Sequence, residues 1–431
     1  RESILLPPWN GAPLIHIRRL YTCAAPGSAT PPLLEDAAIV WTGDRITWLG
    51  PTADLPAEHR KWAIHWSGQS GFLMPALVDC HTHLVFGGWR AHEFAQRCRG
   101  ATYQEIAAAG GGIASTMRAT RAASADELYG LALERLRQMV ALGVGTVECK
   151  SGYGLALADE LKLLRVQRRL AESTRLRLVS TFLGAHVVPP EYRSERERYV
   201  ALVCAEMLPQ IAAEGLAQFC DVFVEEGAFS QDEARRVLTM AQRLGLRPKL
   251  HVDQLQDGGG AALAAELGAI SADHLEHTGA AGIEALARAG VIAVTLPLAT
   301  LYLRQPPLDA RTFLAAGVPV AVATDFNPGT APSWNLPLAM GLACIMNRLT
   351  PEQALAGATR IAAQAIGVAD EVGSLEVGKR MDAMWVEAPD IDHWLYRLGD
   401  PRPTCGWIAG QPHLQAVPPA PPLSSLPASP S

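Results

Sequence analysis

No run of five or more Lys or Arg interrupts this 431-residue chain, whose net charge is −6 from 37 basic and 43 acidic residues. The electrostatic footprint of a nucleic-acid binder is missing, so a polyanionic partner is not expected. Uninterrupted apolar stretches of about 18 residues are missing too, and no membrane span is expected. Residues 1–10 lack the charged, apolar and small-residue succession of a signal peptide, which makes the cytoplasm the expected location. The eight cysteines (23, 80, 98, 149, 204, 220, 344 and 405) never fall at a Cys-x-x-Cys spacing, which argues against a disulfide framework and a zinc knuckle. Most read as small buried hydrophobes. What is abundant is apolar: 49% of residues are hydrophobic against 19% charged, enough to bury a large core and to exclude disorder as the main state. Such a length fits two or three domains of roughly 150 residues, or one barrel of about 250 with an appendage.

The texture along the chain favours the second option. Short strand-like pieces at 16–22, 37–41, 46–49 and 62–66 are broken by Pro/Gly turns and read as a small β unit. Apolar β-branched runs then alternate with Ala/Leu/Arg-rich segments of helical period. Eight strands are predicted, at 76–80, 145–149, 176–182, 219–224, 248–251, 270–274, 291–295 and 318–323. The clearest intervening helices are at 125–142, 158–173, 230–244, 261–267 and 279–289. This is the pattern of an α/β protein, a (β/α)₈ barrel. A helix at 351–366 and strand patterning at 373–387 follow, so both chain ends can complete one small β-sandwich unit. The expected division is 1–72 and 371–416 for that unit, 73–370 for the barrel, and 417–431 for a Pro-rich tail expected to be disordered.

Histidines mark the chemistry. Residues two apart on a strand point to the same side, so His81 and His83, following the first barrel strand, can present two imidazoles to one point at the barrel mouth. A lone His-x-His is as readily two polar loop residues. Here, however, His251 ends the fifth predicted strand, His274 the sixth and Asp325 follows the eighth. Five potential ligands at one end of a barrel point to a metal. Imidazoles with one carboxylate suit Zn²⁺ or iron better than Mg²⁺ or Ca²⁺. Such an ion can ionise water near neutral pH and supply a hydrolytic nucleophile. The fourth strand, from Asp221 to Glu226, carries no lysine to bridge two ions. One metal per chain is expected, with Glu225 or Glu226 leaving a second site open.

Longer strings carry a family resemblance: residues 77–88 (LVDCHTHLVFGG), 109–115 (AGGGIAS), 150–155 (KSGYGL), 181–189 (TFLGAHVVP), 271–275 (SADHL) and 323–329 (ATDFNPG). The chain resembles the amidohydrolase superfamily, and the ordered combination of strings, from about residue 35 to about 390, is similar to its imidazolonepropionase family. The resemblance implies hydrolysis of the ring amide of 4-imidazolone-5-propanoate to N-formimino-L-glutamate in histidine degradation. It implies His81, His83, His251 and Asp325 as metal ligands for one Zn²⁺ or Fe²⁺/Fe³⁺, with His274 beside the metal. Arg90, Tyr103, Tyr153, His186, Gln254 and Thr330 match substrate contacts, and Asn327 and Gly329 match positions that hold the product. Some family members carry Glu at the position of Gln254, and Gln cannot serve as a general base.

The residues support this chemistry on their own terms. An anionic substrate on an acidic protein needs a local cation, and the guanidinium of Arg90 offers a planar fork for a carboxylate, although an ordinary solvated arginine reads the same way. Tyr103 and Tyr153 each add a phenol, with a buried core tyrosine as the competing reading. The glycines flanking Tyr153 let the backbone approach a ligand. Asp325 can take the proton of a water and return it to the leaving ring nitrogen, and His186 or His274 can stabilise the oxyanion. The histidines at 16, 59, 65, 92, 277, 393 and 413 read as surface or packing residues. Two competing functions share these features: a metal-dependent deaminase of a nitrogen heterocycle, and a non-catalytic barrel that binds a small metabolite. The expected partner is a small molecule, and a homodimer is compatible with the sequence.

Overall fold

The computed structural model describes residues 12–66, 70–102, 105–106, 109–399 and 402–418. The stretch 1–10, Tyr103 and all of the expected tail beyond 418 lie outside them. The barrel consists of β6 (Leu77–Asp79), β7 (Val144–Lys150), β8 (Arg177–Ala185), β9 (Phe219–Val224), β10 (Arg247–Val252), β11 (Ser271–His274), β12 (Ile292–Thr295) and β13 (Val320–Val322), joined in chain order by parallel ladders. Covered on both faces, these strands read as near-continuous apolar runs. The helices between them bury one stripe each. Gln231–Arg243 buries Ala234, Val237, Leu238 and Ala241, a helical repeat of 3.6, and starts at a capping box between Ser230 and Glu233.

No ladder links β13 to β6, and the barrel closes instead through four specific hydrogen bonds. The Asp79 carboxylate accepts from the Thr324 amide at 3.1 Å and its hydroxyl at 2.6 Å. Beyond the strand ends, the Asp325 amide donates to the His81 carbonyl at 3.0 Å and the His83 amide to the Phe326 carbonyl at 2.8 Å. Closing the barrel therefore sets Asp325 beside both histidines.

The chain ends build a separate sheet from β1 (Leu14–Tyr21), β2 (Leu33–Thr42), β3 (Arg45–Pro51), β4 (Ile64–His65), β5 (Phe72–Pro75), β14 (Ala383–Val386), β15 (Cys405–Ile408) and β16 (Gln411–Pro412). Its strand order is β16-β15-β14-β5-β1-β2-β3, with β4 paired to β1. Trp41, Trp66, Trp385 and Trp407 pack edge to face in its core with centroids 5.5–6.1 Å apart. No helix of the described residues is long and apolar enough to cross a membrane.

Two expectations change. The helix predicted over 351–366 is two helices, Pro351–Gly357 and Arg360–Ala365. The break comes where the Ala358 carbonyl accepts from the Val78 amide of β6 at 2.8 Å instead of continuing a helical ladder. The helix Leu336–Met346 was not expected, because its residues are apolar nearly all round and lack an amphipathic period.

Candidate active site and metal centre

The strand ends bring His81, His83, His251, His274 and Asp325 together, all buried. Potential ligand atoms of His81, His251 and His274 lie within 4.8 Å of one another, as do those of His81, His83 and Asp325. Asp325 Oδ1 is 3.2 Å from Nε2 of His81 and 3.3 Å from Nε2 of His83. The other ring nitrogens are already committed for two of the histidines. His81 Nδ1 donates to Asp273 Oδ2 at 2.5 Å and His251 Nδ1 to Asp221 Oδ1 at 3.0 Å. With each Nδ1 proton spent on a carboxylate, both Nε2 lone pairs face the cluster, buried and without a hydrogen-bond partner. A cation that binds imidazole fits this donor set. Asp325 adds a negative charge: burial pushes its carboxyl up, but the imidazoles of His81 and His83 beside it outweigh that and hold it well below the usual range.

The cluster opens into a cavity of about 730 Å³, which also receives Arg90, Tyr153, His186, Gln254, Asn327, Gly329 and Thr330. Of the substrate-contact residues expected from the sequence, only Tyr103 falls outside the described residues. His186 Nδ1 donates to the Gly152 carbonyl at 2.9 Å. Burial, with His83 and Arg90 nearby, lowers its pKa to about 3, so the ring is neutral and its Nε2 is an acceptor. Such a nitrogen takes a proton donor from a ligand. His274, lowered to about 4 by burial, is also neutral, and its Nδ1 lies 4.0 Å from Glu276 Oε1.

Asn327 lines the same cavity and is tied into its own loop. Its Nδ2 donates to the Asp325 carbonyl at 2.7 Å and the Thr330 hydroxyl at 3.0 Å, while its Oδ1 accepts from the amides of Gly329 and Thr330, both at 2.8 Å. With donors and acceptor occupied, the side chain shapes the 325–330 loop. That loop presses on Arg90. A Cβ on Gly329 would stand 1.6 Å from Arg90 Nη2 and 2.3 Å from its Cζ, so only glycine lets the guanidinium lie there. Gly329→Ala should therefore push Arg90 aside and raise KM while metal content stays the same, as steady-state kinetics with elemental analysis would show. Tyr153 is held by its own loop: Gly152 has φ +104°, and Glu160 accepts from the amides of Gly152, Gly154 and Leu155 at 2.8–3.1 Å.

Several buried charges escaped the sequence reading: Glu148, Lys150, Glu160, Asp221, Lys249, Asp273 and Glu276. For Glu148, Lys150, Asp221, Lys249 and Asp273 the signal was there, since ionisable residues inside apolar strands are rare unless paired, whereas Glu160 sits on a helix and Glu276 beyond β11. Strand β9 indeed carries no lysine, but Lys150 of β7 reaches Asp221 from two strands away, with Nζ 3.0 Å from Asp221 Oδ2. Glu225 and Glu226 line the outer cavity and join neither ligand group found among the described residues.

Residues 72–413 match the family described as the Amidohydrolase family. A protein named imidazolonepropionase from Polaromonas sp. is 52% identical over 371 residues, covering 85% of this chain and 87% of that protein. Another imidazolonepropionase, from Yersinia pseudotuberculosis, is 46% identical over 406 residues, 94% of either chain. Among solved structures, an adenosine deaminase from Xanthomonas campestris with bound zinc has the same fold, at TM-score 0.64 and 21% identity over 95% of both chains. The chain belongs to the amidohydrolase family and, within it, to the imidazolonepropionases, and it is a hydrolase.

Proposed function

We propose that the protein hydrolyses the ring C–N bond of 4-imidazolone-5-propanoate to N-formimino-L-glutamate, with one Zn²⁺ or iron ion held by His81, His83, His251 and Asp325. The observation that carries this reading is one cavity that joins a pre-set imidazole cluster to a buried, cradled guanidinium. A heterocycle with a short acidic arm fits that pair. When bound, the metal supplies the Lewis acidity that readies water and polarises a carbonyl. Arg90 takes the propanoate, and its planar fork sets the distance of the ring from the cluster. His186 Nε2 accepts from a ring N–H, and Tyr153 closes that side. Asp325, ionised at neutral pH, takes a proton from water and delivers it to the departing ring nitrogen, acting as base and then acid. His274, beside His81 and His251, is the group that meets the developing oxyanion.

Gln254 positions the ring, since an amide cannot carry the proton. Gln254→Ala should cost roughly one to two orders of magnitude in kcat/KM, and Gln254→Glu should stay active with a changed pH profile. Kinetics of both variants against pH would check this. The reading as a whole is tested by giving the purified protein freshly generated imidazolone propionate, with bound metal measured in parallel. Loss of substrate, formation of formiminoglutamate and about one metal per chain are expected. Release of ammonia would reassign the protein to the deaminases, and an intact substrate would leave only a binding barrel.

A further inference from the structure

Under the imidazoles lies a layer of buried charge that the reaction above does not use. Lys150, at the end of β7, is fully buried, with Nζ 2.8 Å from Glu148 Oε1, 3.0 Å from Asp221 Oδ2 and 4.0 Å from Asp273 Oδ2. Asp221 and Asp273 are the two carboxylates that hold Nδ1 of His251 and His81. Asp221 thus faces His251 with Oδ1 and this ammonium with Oδ2, whereas Asp273 turns Oδ2 to both, to His81 at hydrogen-bond distance and to the ammonium at 4.0 Å. Among the described residues no other Lys or Arg comes within 4.0 Å of either carboxylate. Lys249 acts one bond further out: its Nζ donates to Ser271 Oγ at 2.7 Å, and that hydroxyl donates to Asp273 Oδ1 at 2.7 Å. Glu148 is tied down in turn by the Thr181 hydroxyl at 2.5 Å. The layer is anchored on five strands: β7, β8, β9, β10 and β11.

We infer that Lys150 is a positioning residue for the metal: it fixes Asp221 and Asp273, and through them the ring orientation and tautomer of His251 and His81. Without the ammonium, the buried carboxylates of Glu148, Asp221 and Asp273 would lose the cation they share and turn toward other donors. The imidazoles would then lose the acceptors that keep their Nδ1 protonated and their Nε2 lone pairs aimed into the cluster. A lysine that only balanced charge could be removed without changing ligand geometry. The inference rests on the ligand set proposed above, and its test separates the two.

Zn²⁺ affinity is measured by competition with a chromophoric chelator, starting from metal-free protein, and the visible spectrum of the Co²⁺-loaded form is recorded. Unmodified protein that binds no metal would sink the ligand set itself. Given binding, Lys150→Met and Asp273→Asn should each weaken Zn²⁺ by about 10–100-fold, the range for residues that orient ligands, and should alter the Co²⁺ spectrum. Their double variant should lose clearly less than the product of the single losses, because both act through His81. Asp382→Asn, a buried carboxylate beneath the small sheet, should bind Zn²⁺ like the parent. Parent-like affinity in Lys150→Met, or fully multiplicative losses in the double variant, would overturn the inference. Should Lys150→Met not fold, Lys150→Gln and Asp273→Asn are read alone, and parent-like affinity in either does the same.

Discussion

Asp325→Asn should lower kcat/KM by about 10²–10⁴-fold in preparations that still hold metal, the range for removing a positioned acid–base group. Asparagine keeps the oxygen that faces His81 and His83, 3.2 and 3.3 Å away in the parent, so a ligand atom survives. What disappears is the site for a proton. In the parent the carboxylate is charged across the neutral range: burial alone would favour the acid form, and the two histidines reverse that. The loss should therefore appear in kcat and persist at every pH where the fold is intact. It is measured as kcat/KM against pH, with metal content recorded for each sample. Near-normal turnover in Asp325→Asn, together with abolished turnover in Gln254→Ala, would move the proton-carrying role elsewhere, to His274 first.

Arg90→Met should raise KM strongly and leave metal content as it was. A desolvated carboxylate deprived of its charged partner costs about 2–5 kcal/mol, or roughly 30-fold to several thousandfold in affinity. Arg90 is buried, with Nη1 4.0 Å from Glu93 Oε2, so the variant also leaves Glu93 facing the cavity and adds repulsion toward an anionic substrate. Glu93 Oε1 meanwhile holds the Gly112 amide at 2.8 Å, so it stays in place. Steady-state kinetics with elemental analysis checks the split, and an unchanged KM would remove Arg90 from the site. Methionine replaces the aliphatic stem of the arginine and leaves out only its guanidinium end, which limits any packing effect.

The parts of this site that could be read from the sequence are those where a polar residue ends an apolar strand. His81, His83, His251, His274 and Asp325 stand out for that reason, and the eightfold strand–helix alternation places them at one mouth. The layer below them could not be read in the same way. Lys150 meets Asp221 and Asp273 only because β7, β9 and β11 wrap around one barrel interior, and that proximity depends on strand register. Roles set by hydrogen-bond accounting were hidden as well: His186 becomes an acceptor because its proton goes to Gly152, and Asn327 turns inward because its loop uses both ends of the amide. Short helices such as Pro297–Leu303 and Ala310–Ala315 span too few turns to show a period.

Anomalous diffraction from crystals of the metal-loaded protein with N-formimino-L-glutamate bound would test the central claim most directly. One metal peak is predicted, ligated by His81 Nε2, His251 Nε2, His83 and Asp325, with the product's side-chain carboxylate on the Arg90 guanidinium. A metal peak away from these four residues, a second ion among Glu148, Asp221 and Asp273, or a carboxylate bound elsewhere than on Arg90 would contradict it.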